Sequence, residues 1–261
     1  MENSLKIVGL QLDLYWEEPE KNITSIFSHL RNLQDVDIVI LPEMFSTGFS
    51  MKASHLAFDK HSPAIEKLQT WSDKTQTAIC GSIWFKEGHE FTNRLVWISP
   101  NEAIQHYDKR HLFSLSAEPD MLKAGKERLI VEFKGWKIAP LICYDLRFPV
   151  WSKNNENYRY DLLIYVANWP EKRNYAWEQL LIARAIENQA YVAGINRVGK
   201  DGNGVNHLGA STIINPLGKQ IIRAVNNVEQ TIEASITKEE LITYREKLPF
   251  LRDSDKFTLE A

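Results

Sequence analysis

The sequence contains little cysteine and no long apolar run, and each shortage excludes a class of protein. Two of its 261 residues are cysteine, too few for a disulfide framework, so we expect reduced thiols. No apolar run approaches the ~20 residues that a membrane-spanning helix needs. The start, "MENSLKIVGLQLD", lacks the basic region and long hydrophobic core of a secretory signal. We therefore predict a cytoplasmic protein that does not contact a membrane.

The sequence also lacks a large excess of either charge and lacks the common cofactor-binding motifs. The net charge is −3 with acids and bases interspersed, so no basic face indicates a nucleic-acid partner. The glycines of "GKDGNGVNHLG" do not form the G-x-G-x-x-G pattern, and the phosphate-binding pattern G-x-x-x-x-G-K-[ST] is not found. No closely spaced Cys or His pair predicts zinc. We expect a small-molecule or protein partner, with no cofactor, metal or nucleic acid.

Apolar residues make up 44% of the chain, which is enough for a large core. Short β-branched runs alternate with helical patterns, which predicts mixed α/β layering. No linker divides the chain, so we predict a single domain over 1–261. The predicted helices cover 20–34, 63–74, 175–189 and "TKEELITYREKL", the last capped by Thr237 with Glu240 three residues on. The predicted strands are "LKIVGLQLD", "DIVILPE", "TAICGSIWF", "RLVWISP", "AIQHYDK", "RLIVEF", "WKIAPLICYD", "YDLLIYVANW", "AYVAGINRV", "GASTIINPLG", "KQIIRAV" and "QTIEASI".

Three chemically reactive residues lie where apolar runs end. Glu43 follows a strand in "VILPEMF", at the kind of sheet edge where α/β proteins bind ligands. Lys109 follows a strand in "HYDKRHLF", and Cys143 ends the apolar run of "LICYDLRFP". Taken singly, each has an ordinary interpretation: a solvated carboxylate, a surface lysine and a small buried thiol.

Taken together, the three residues predict nucleophilic catalysis. A thiol is mostly protonated at neutral pH, so a catalytic cysteine needs a base or a positive neighbour. Glu43 and Lys109 can supply both. The chain also contains seven histidines, the other common partner, but none lies in a recognisable cysteine-protease motif.

These motifs resemble the Glu-Lys-Cys signatures of the nitrilase superfamily of carbon–nitrogen hydrolases. The likeness extends from "LPEMF", "YDKRHLF" and "LICYDLRFP" to "YVANWP", "ARAIENQAYVAGINRVG" and "STIINPLG", over nearly the whole chain. Within the superfamily the sequence is most similar to bacterial omega-amidases. The resemblance implies a four-layer α-β-β-α sandwich and a covalent mechanism.

The resemblance also implies a role for each residue. Cys143 attacks the amide carbonyl to form a thioester, while Glu43 accepts the thiol proton, passes it to ammonia and later activates water. Lys109 and the backbone N–H of Tyr144 hold the oxyanion. Glu118, in "SLSAEPD", falls where the family has a second glutamate that orients Lys109 or the substrate, although this stretch is also typical of a solvated loop.

The substrate pocket is predicted around Arg147, four residues after the nucleophile. Its planar guanidinium suits a substrate carboxylate, although an ion pair with Asp145 or another acidic residue is the structural alternative. Phe45, Phe49 and Trp169 are candidate pocket walls, with core packing the alternative for each. If Arg147 does not bind the substrate carboxylate, Arg173 and Arg197 are the next candidates for that role.

The leading functional hypothesis is an omega-amidase that releases ammonia from the terminal amide of a monoamide such as 2-oxoglutaramate. An N-carbamoyl amine or amino-acid hydrolase is the second enzyme hypothesis, and released carbon dioxide would distinguish it. A non-catalytic binding protein is the third, against which the intact catalytic set argues. The spacing of Arg184 and Glu187 allows an ion pair within the predicted helix 175–189. The usual oligomeric state of the family and the exposed part of this apolar-striped helix favour a homodimer.

Overall fold

The computed structural model of the chain describes residues 4–259. These residues form strands, α-helices and short 3₁₀ turns. The strands are β1 (Ser4–Gln11), β2 (Ile38–Ile40), β3 (Ala78–Glu87), β4 (Glu90–Ile98), β5 (Gln105–Asp108), β6 (Val131–Phe133), β7 (Trp136–Ile142), β8 (Leu162–Ala167), β9 (Tyr191–Asn196), β10 (Val198–Lys200), β11 (Asn206–Leu208), β12 (Thr212–Ile214), β13 (Gln220–Arg223) and β14 (Gln230–Thr237). The α-helices are α1 (Pro19–Leu30), α2 (Pro63–Thr75), α3 (Glu118–Met121), α4 (Pro149–Ser152), α5 (Asn174–Asn188) and α6 (Lys238–Lys247). The 3₁₀ turns are Ala53–Leu56, Cys143–Arg147, Glu171–Arg173 and Phe250–Asp253.

Two six-stranded sheets contain most of the strands. The first has the order β14-β1-β2-β3-β4-β5 and the second the order β13-β12-β9-β8-β7-β6. In the first sheet β1, β2 and β3 are parallel, and in the second β7, β8 and β9 are parallel. The carboxyl ends of neighbouring parallel strands lie at one edge of a sheet, where loops can bring reactive side chains together.

The sheets pack face to face because successive residues of each strand point to opposite sides. In β1, Ile7 belongs to the core between the sheets, while its neighbour Val8 belongs to the core on the other face. Gly9 lets the sheets approach closely, since a side chain there would overlap Ile195 of β9. Both sheets therefore bury one face in a shared core.

Helices cover the two outer faces. On the first sheet, α1 and α2 bury apolar side chains against β1 to β4, and these are Ile23, Ile26, Leu30, Ile65 and Leu68. On the second sheet, Trp177 and Leu181 of α5 pack where Gly194 of β9 leaves space. The four layers run helix, sheet, sheet, helix, so the predicted α/β sandwich is confirmed.

Most predicted elements occupy the predicted positions. The last helix begins as expected, with Thr237 Oγ1 accepting the Glu240 N–H at 3.3 Å, and the Arg184–Glu187 ion pair is present at 2.9 Å. The first helix ends at Leu30, before the predicted boundary at residue 34. The run "AYVAGINRV" is divided into β9 and β10, and the short hairpin of β10 with β11 was not predicted.

Candidate active site

Cys143 lies at the carboxyl end of β7, where the chain turns sharply. Its φ is 44°, a left-handed conformation that a residue with a side chain rarely adopts. The strand ends there and the turn Cys143–Arg147 begins, with Asp145 Oδ2 accepting the Ile142 N–H at 3.1 Å. This turn aims the thiol into a cavity, which Cys143 and Tyr144 both line.

Lys109 lies between two carboxylates. Its Nζ is 2.9 Å from Glu43 Oε1 and 2.9 and 3.0 Å from the two oxygens of Glu118. All three side chains are fully buried. The structure therefore brings Glu43 together with Lys109, 66 positions later in the chain, and with Glu118, nine positions after Lys109.

Two asparagines that the sequence analysis missed hold the carboxylates in place. Asn93 of β4 donates from Nδ2 to Glu43 at 2.9 Å and to Glu118 at 3.1 Å. Asn168, directly after β8, donates its backbone N–H to Glu43 Oε2 at 2.8 Å. A polar side chain within or directly after an apolar strand was the available signal, because a buried amide needs partners.

Glu118 is not the solvated loop residue that its sequence context allowed. It begins the short helix α3 and is fully buried. Its Oε2 accepts the Phe113 N–H at 2.6 Å in addition to its contacts with Lys109. The charge of Lys109, which no local pattern reveals, makes this burial tolerable.

The cluster fixes the ionisation of its cation. Burial by itself lowers the pKa of Lys109, but the charges of Glu118 and Glu43 outweigh burial and raise it. Lys109 is therefore an ammonium ion at neutral pH. Burial raises the pKa of Glu118, an effect that Lys109 opposes and Glu43 increases.

The side chain of Cys143, the candidate nucleophile, is a thiol at rest. Burial and the negative charge of Glu43 raise the pKa of Cys143 well above its ordinary value, although Lys109 lowers it. The thiol therefore holds its proton at neutral pH and needs a base during attack. Glu43, the carboxylate whose charge and hydrogen bond act most strongly on the Cys143 thiol, is the candidate base.

The cavity beside Cys143 has a volume of about 780 Å³. Phe49 and Trp169 line it as predicted, and so do Lys109 and Arg147. Phe45 does not, which makes its prediction as a pocket wall wrong. Its ring packs into the core between the first sheet and its helices, in space that Gly81 leaves free.

Arg147 lies over the Trp169 ring, with its guanidinium carbon 4.8 Å from the ring centroid. No ion pair joins it to any acidic side chain in the described part of the chain, and Asp145 binds Tyr107 and His111 instead. Arg173 also lines the cavity, and burial lowers its pKa.

Arg197, the other candidate for binding a substrate carboxylate, already has an acidic partner. Its side chain is fully buried and pairs with Asp13 at 2.9 Å. It does not line the cavity, whereas Arg147 and Arg173 do, together with Lys52, Lys109 and Lys172.

Comparisons with known proteins identify the family. The carbon-nitrogen hydrolase family model matches residues 7–246. This chain belongs to the carbon–nitrogen hydrolase family. Among curated relatives, Omega-amidase YafV of Yersinia enterocolitica is 44% identical over 98% of this chain and 99% of its own. The 2-oxoglutaramate amidase of Bacillus subtilis is 32% identical over 95% of this chain and 96% of its own.

A solved member of the family has the same fold. XC1258 from Xanthomonas campestris, described as a CN-hydrolase superfamily protein with an arsenic adduct in the active site, superposes with a TM-score of 0.95. It is 40% identical to this carbon–nitrogen hydrolase, and the match covers 98% of this chain and 99% of that one. The nitrilase resemblance predicted from the motifs is confirmed.

Two further features concern the whole described region, residues 4–259. None of its helices is long and apolar enough to cross a membrane. It also contains no group of three or more His, Cys, Asp or Glu side chains arranged to hold a metal ion.

We predict that Cys143 does not form a thiolate in the resting enzyme at neutral pH, because its pKa is raised. The ultraviolet absorbance of wild type minus that of Cys143→Ala, followed against pH, should show no titration below about pH 8.5, the ordinary thiol value. The subtraction removes the tyrosines and the buried Cys80. A step in the difference absorbance centred near neutral pH would contradict this prediction. It would show that Lys109 lowers the pKa of the thiol by more than burial and Glu43 raise it.

Proposed function

We propose that this hydrolase is an omega-amidase, which cleaves the terminal amide of a short dicarboxylic acid monoamide such as 2-oxoglutaramate and releases ammonia. One observation carries the proposal: Glu43, Lys109 and Glu118 form a buried cluster beside Cys143, at a cavity that also exposes Arg147. The relatives named for omega-amidase and 2-oxoglutaramate amidase activity support this choice within the family.

In the first step, the sulfur of Cys143 forms a bond to the amide carbon. Glu43 accepts the thiol proton as the bond forms, so no free thiolate needs to accumulate. The resulting tetrahedral intermediate then loses its nitrogen, which leaves as ammonia after receiving that proton from Glu43. The acyl group remains on sulfur as a thioester.

Negative charge develops on the former carbonyl oxygen during this step. The Lys109 ammonium and the backbone N–H of Tyr144 are the proposed donors to that oxygen. A donor fixed in a buried site needs no reorganisation as charge appears, and one such donor is typically worth about 3–4 kcal/mol. Glu118 is proposed to orient Lys109, since both of its oxygens lie within 3.0 Å of Nζ.

The second step releases the acid. Water attacks the thioester carbon while Glu43, free of its proton after ammonia leaves, takes a proton from that water. The tetrahedral intermediate collapses, the sulfur leaves and regains a proton, and the product carboxylic acid forms. The same carboxylate thus serves both half-reactions, so the cluster needs one base.

Arg147 is proposed to bind the carboxylate at the far end of the substrate. Its guanidinium lies over the Trp169 ring and has no acidic partner within residues 4–259. A planar guanidinium can bind a carboxylate with two hydrogen bonds, which a lysine cannot reproduce. Trp169 and Phe49 would form the apolar walls along the short carbon chain between the amide and this carboxylate.

Hydrolysis of N-carbamoyl compounds remains the alternative reaction, because the same cluster could attack a carbamoyl carbon. Measuring ammonia and carbon dioxide together distinguishes the two reactions, since only the carbamoyl substrate releases carbon dioxide. The single domain over 1–261, the cytoplasmic location and the homodimer stay predictions. For the homodimer, α5 offers the exposed Tyr175 and Ile186 to a second copy.

We predict that Cys143→Ala abolishes ammonia release from 2-oxoglutaramate, because the covalent route disappears. Glu43→Gln should lower kcat about 10²–10⁴-fold, since an amide of the same shape cannot accept the proton. Cys80→Ala is the matched control, because Cys80 is a core residue that does not line the cavity. Substantial turnover by a folded Cys143→Ala, or a Glu43→Gln change confined to KM, would contradict these roles.

We predict that Arg147→Lys selectively impairs substrates that carry a remote carboxylate. Lysine keeps the charge but loses the planar fork, so kcat/KM for 2-oxoglutaramate should fall at least about ten-fold, or about 1.4 kcal/mol. A simple amide without the carboxylate should change much less. The two substrates and two enzymes form a double-difference cycle.

A coupling energy near zero in that cycle would mean that Arg147 does not contact the carboxylate. Arg173→Lys, measured on the same two substrates, is the comparison variant because Arg173 lines the same cavity. If Arg173→Lys gave the coupling energy instead, Arg173 rather than Arg147 would be assigned as the residue that binds the carboxylate.

A further inference from the structure

One buried carboxylate outside the catalytic cluster accepts four donors. Asp145 is fully buried, and its Oδ1 lies 3.0 Å from the backbone nitrogen of His111 and 2.8 Å from His111 Nδ1. Its Oδ2 accepts from the Tyr107 hydroxyl at 2.7 Å and from the Ile142 N–H at 3.1 Å. The four donors satisfy both oxygens of this buried side chain within the protein.

The donors to Asp145 lie on either side of the reactive residues. Tyr107 precedes Lys109 by two positions and His111 follows it by two, so Asp145 holds both ends of the segment that carries the ammonium. Ile142 and Asp145 themselves flank Cys143. A single carboxylate therefore ties the segment of the cation to the turn of the nucleophile.

We propose that Asp145 is a positioning residue that fixes Lys109 relative to the Cys143 thiol. Lys109 and Cys143 come from different sheets, at the ends of β5 and β7, so no shared strand sets their separation. The four hydrogen bonds of Asp145 supply that constraint. They also close the turn at Ile142, next to the left-handed conformation of Cys143.

The surroundings of Asp145 make this link rigid. The Tyr107 hydroxyl also accepts the Trp151 indole N–H at 3.0 Å and the Arg110 backbone N–H at 3.1 Å. The His111 ring stacks on Phe148, with centroids 3.8 Å apart and planes 7° from parallel. Both donor side chains are thus held from a second side.

Asp145 does not line the cavity, which separates its effect from substrate binding. Replacing it with asparagine keeps the shape but exchanges one acceptor oxygen for an NH₂ donor. The backbone N–H groups of His111 and Ile142 cannot become acceptors, so at least one of them would face another donor. We therefore expect the two segments to separate slightly in Asp145→Asn.

The test compares Asp145→Asn with Asp161→Asn, a matched control. Asp161 is also buried, accepts the Lys137 N–H at 3.0 Å and pairs with Arg245 at 2.9 Å, but it precedes β8 at the edge away from Cys143. Turnover of 2-oxoglutaramate, which rests on the proposed function, gives kcat and KM. Iodoacetamide alkylation of Cys143, followed by peptide mapping, needs no knowledge of the substrate.

We expect Asp145→Asn to lower kcat at least about ten-fold with KM within about two-fold, because small displacements of reacting groups are costly. Alkylation of Cys143 should slow as well, since a displaced Lys109 no longer lowers the pKa of the thiol. Asp161→Asn should lose stability but keep both rates. Tyr107→Phe, which removes one bond to the same carboxylate, should give a smaller loss of kcat.

Two results would overturn the proposal: normal kcat in a folded Asp145→Asn, or an equal loss of kcat in an equally destabilised Asp161→Asn. If Asp145→Asn does not fold, Tyr107→Phe decides, and an unchanged kcat and alkylation rate there would reject the link. If wild type hydrolyses no ω-amide, the proposed function fails, and the alkylation rates alone decide the role of Asp145.

Discussion

The proposed catalytic chemistry depends on one interaction, the buried contact of the Lys109 ammonium with the carboxylates of Glu43 and Glu118. None of these charges could remain in the interior alone, because an unpaired buried ion costs several kcal/mol. Together they hold Lys109 as a cation and place a proton acceptor beside a thiol whose own pKa is raised. Asn93 supports both carboxylates at once, so the cluster is fixed before any substrate arrives.

The sandwich supplies this cluster by bringing strand ends to one place. Glu43 follows β2, Lys109 follows β5, Cys143 follows β7 and Asn168 follows β8, so both sheets contribute. The sheets hold their separation through a shared apolar core, in which glycine at position 9 allows close approach. Asp145 then links the segment around Lys109 to the turn at Cys143 through hydrogen bonds. No backbone pairing within either sheet makes this link.

Sequence patterns predicted the α/β layering, and short motifs directly after strands singled out Glu43, Lys109 and Cys143 as candidates, because both depend on local order along the chain. The pattern could not place Phe45 correctly, because its position depends on the space left by Gly81 on another strand. It also missed Asn93, Asn168 and the donors to Asp145. Apart from Ile142, which lies three positions before Asp145, those residues act through partners 25 or more positions away, and only the folded chain reveals such pairs.

The account rests on the claim that Cys143 carries the acyl group while Glu43 moves the proton. The most direct test is a single-turnover reaction with 2-oxoglutaramate, stopped with acid at successive times and analysed by peptide mass spectrometry. We expect a transient adduct on the Cys143 peptide, with the mass of the substrate less ammonia, while the Cys80 peptide stays unmodified. Complete release of ammonia with no adduct on Cys143 at any time would contradict the covalent mechanism.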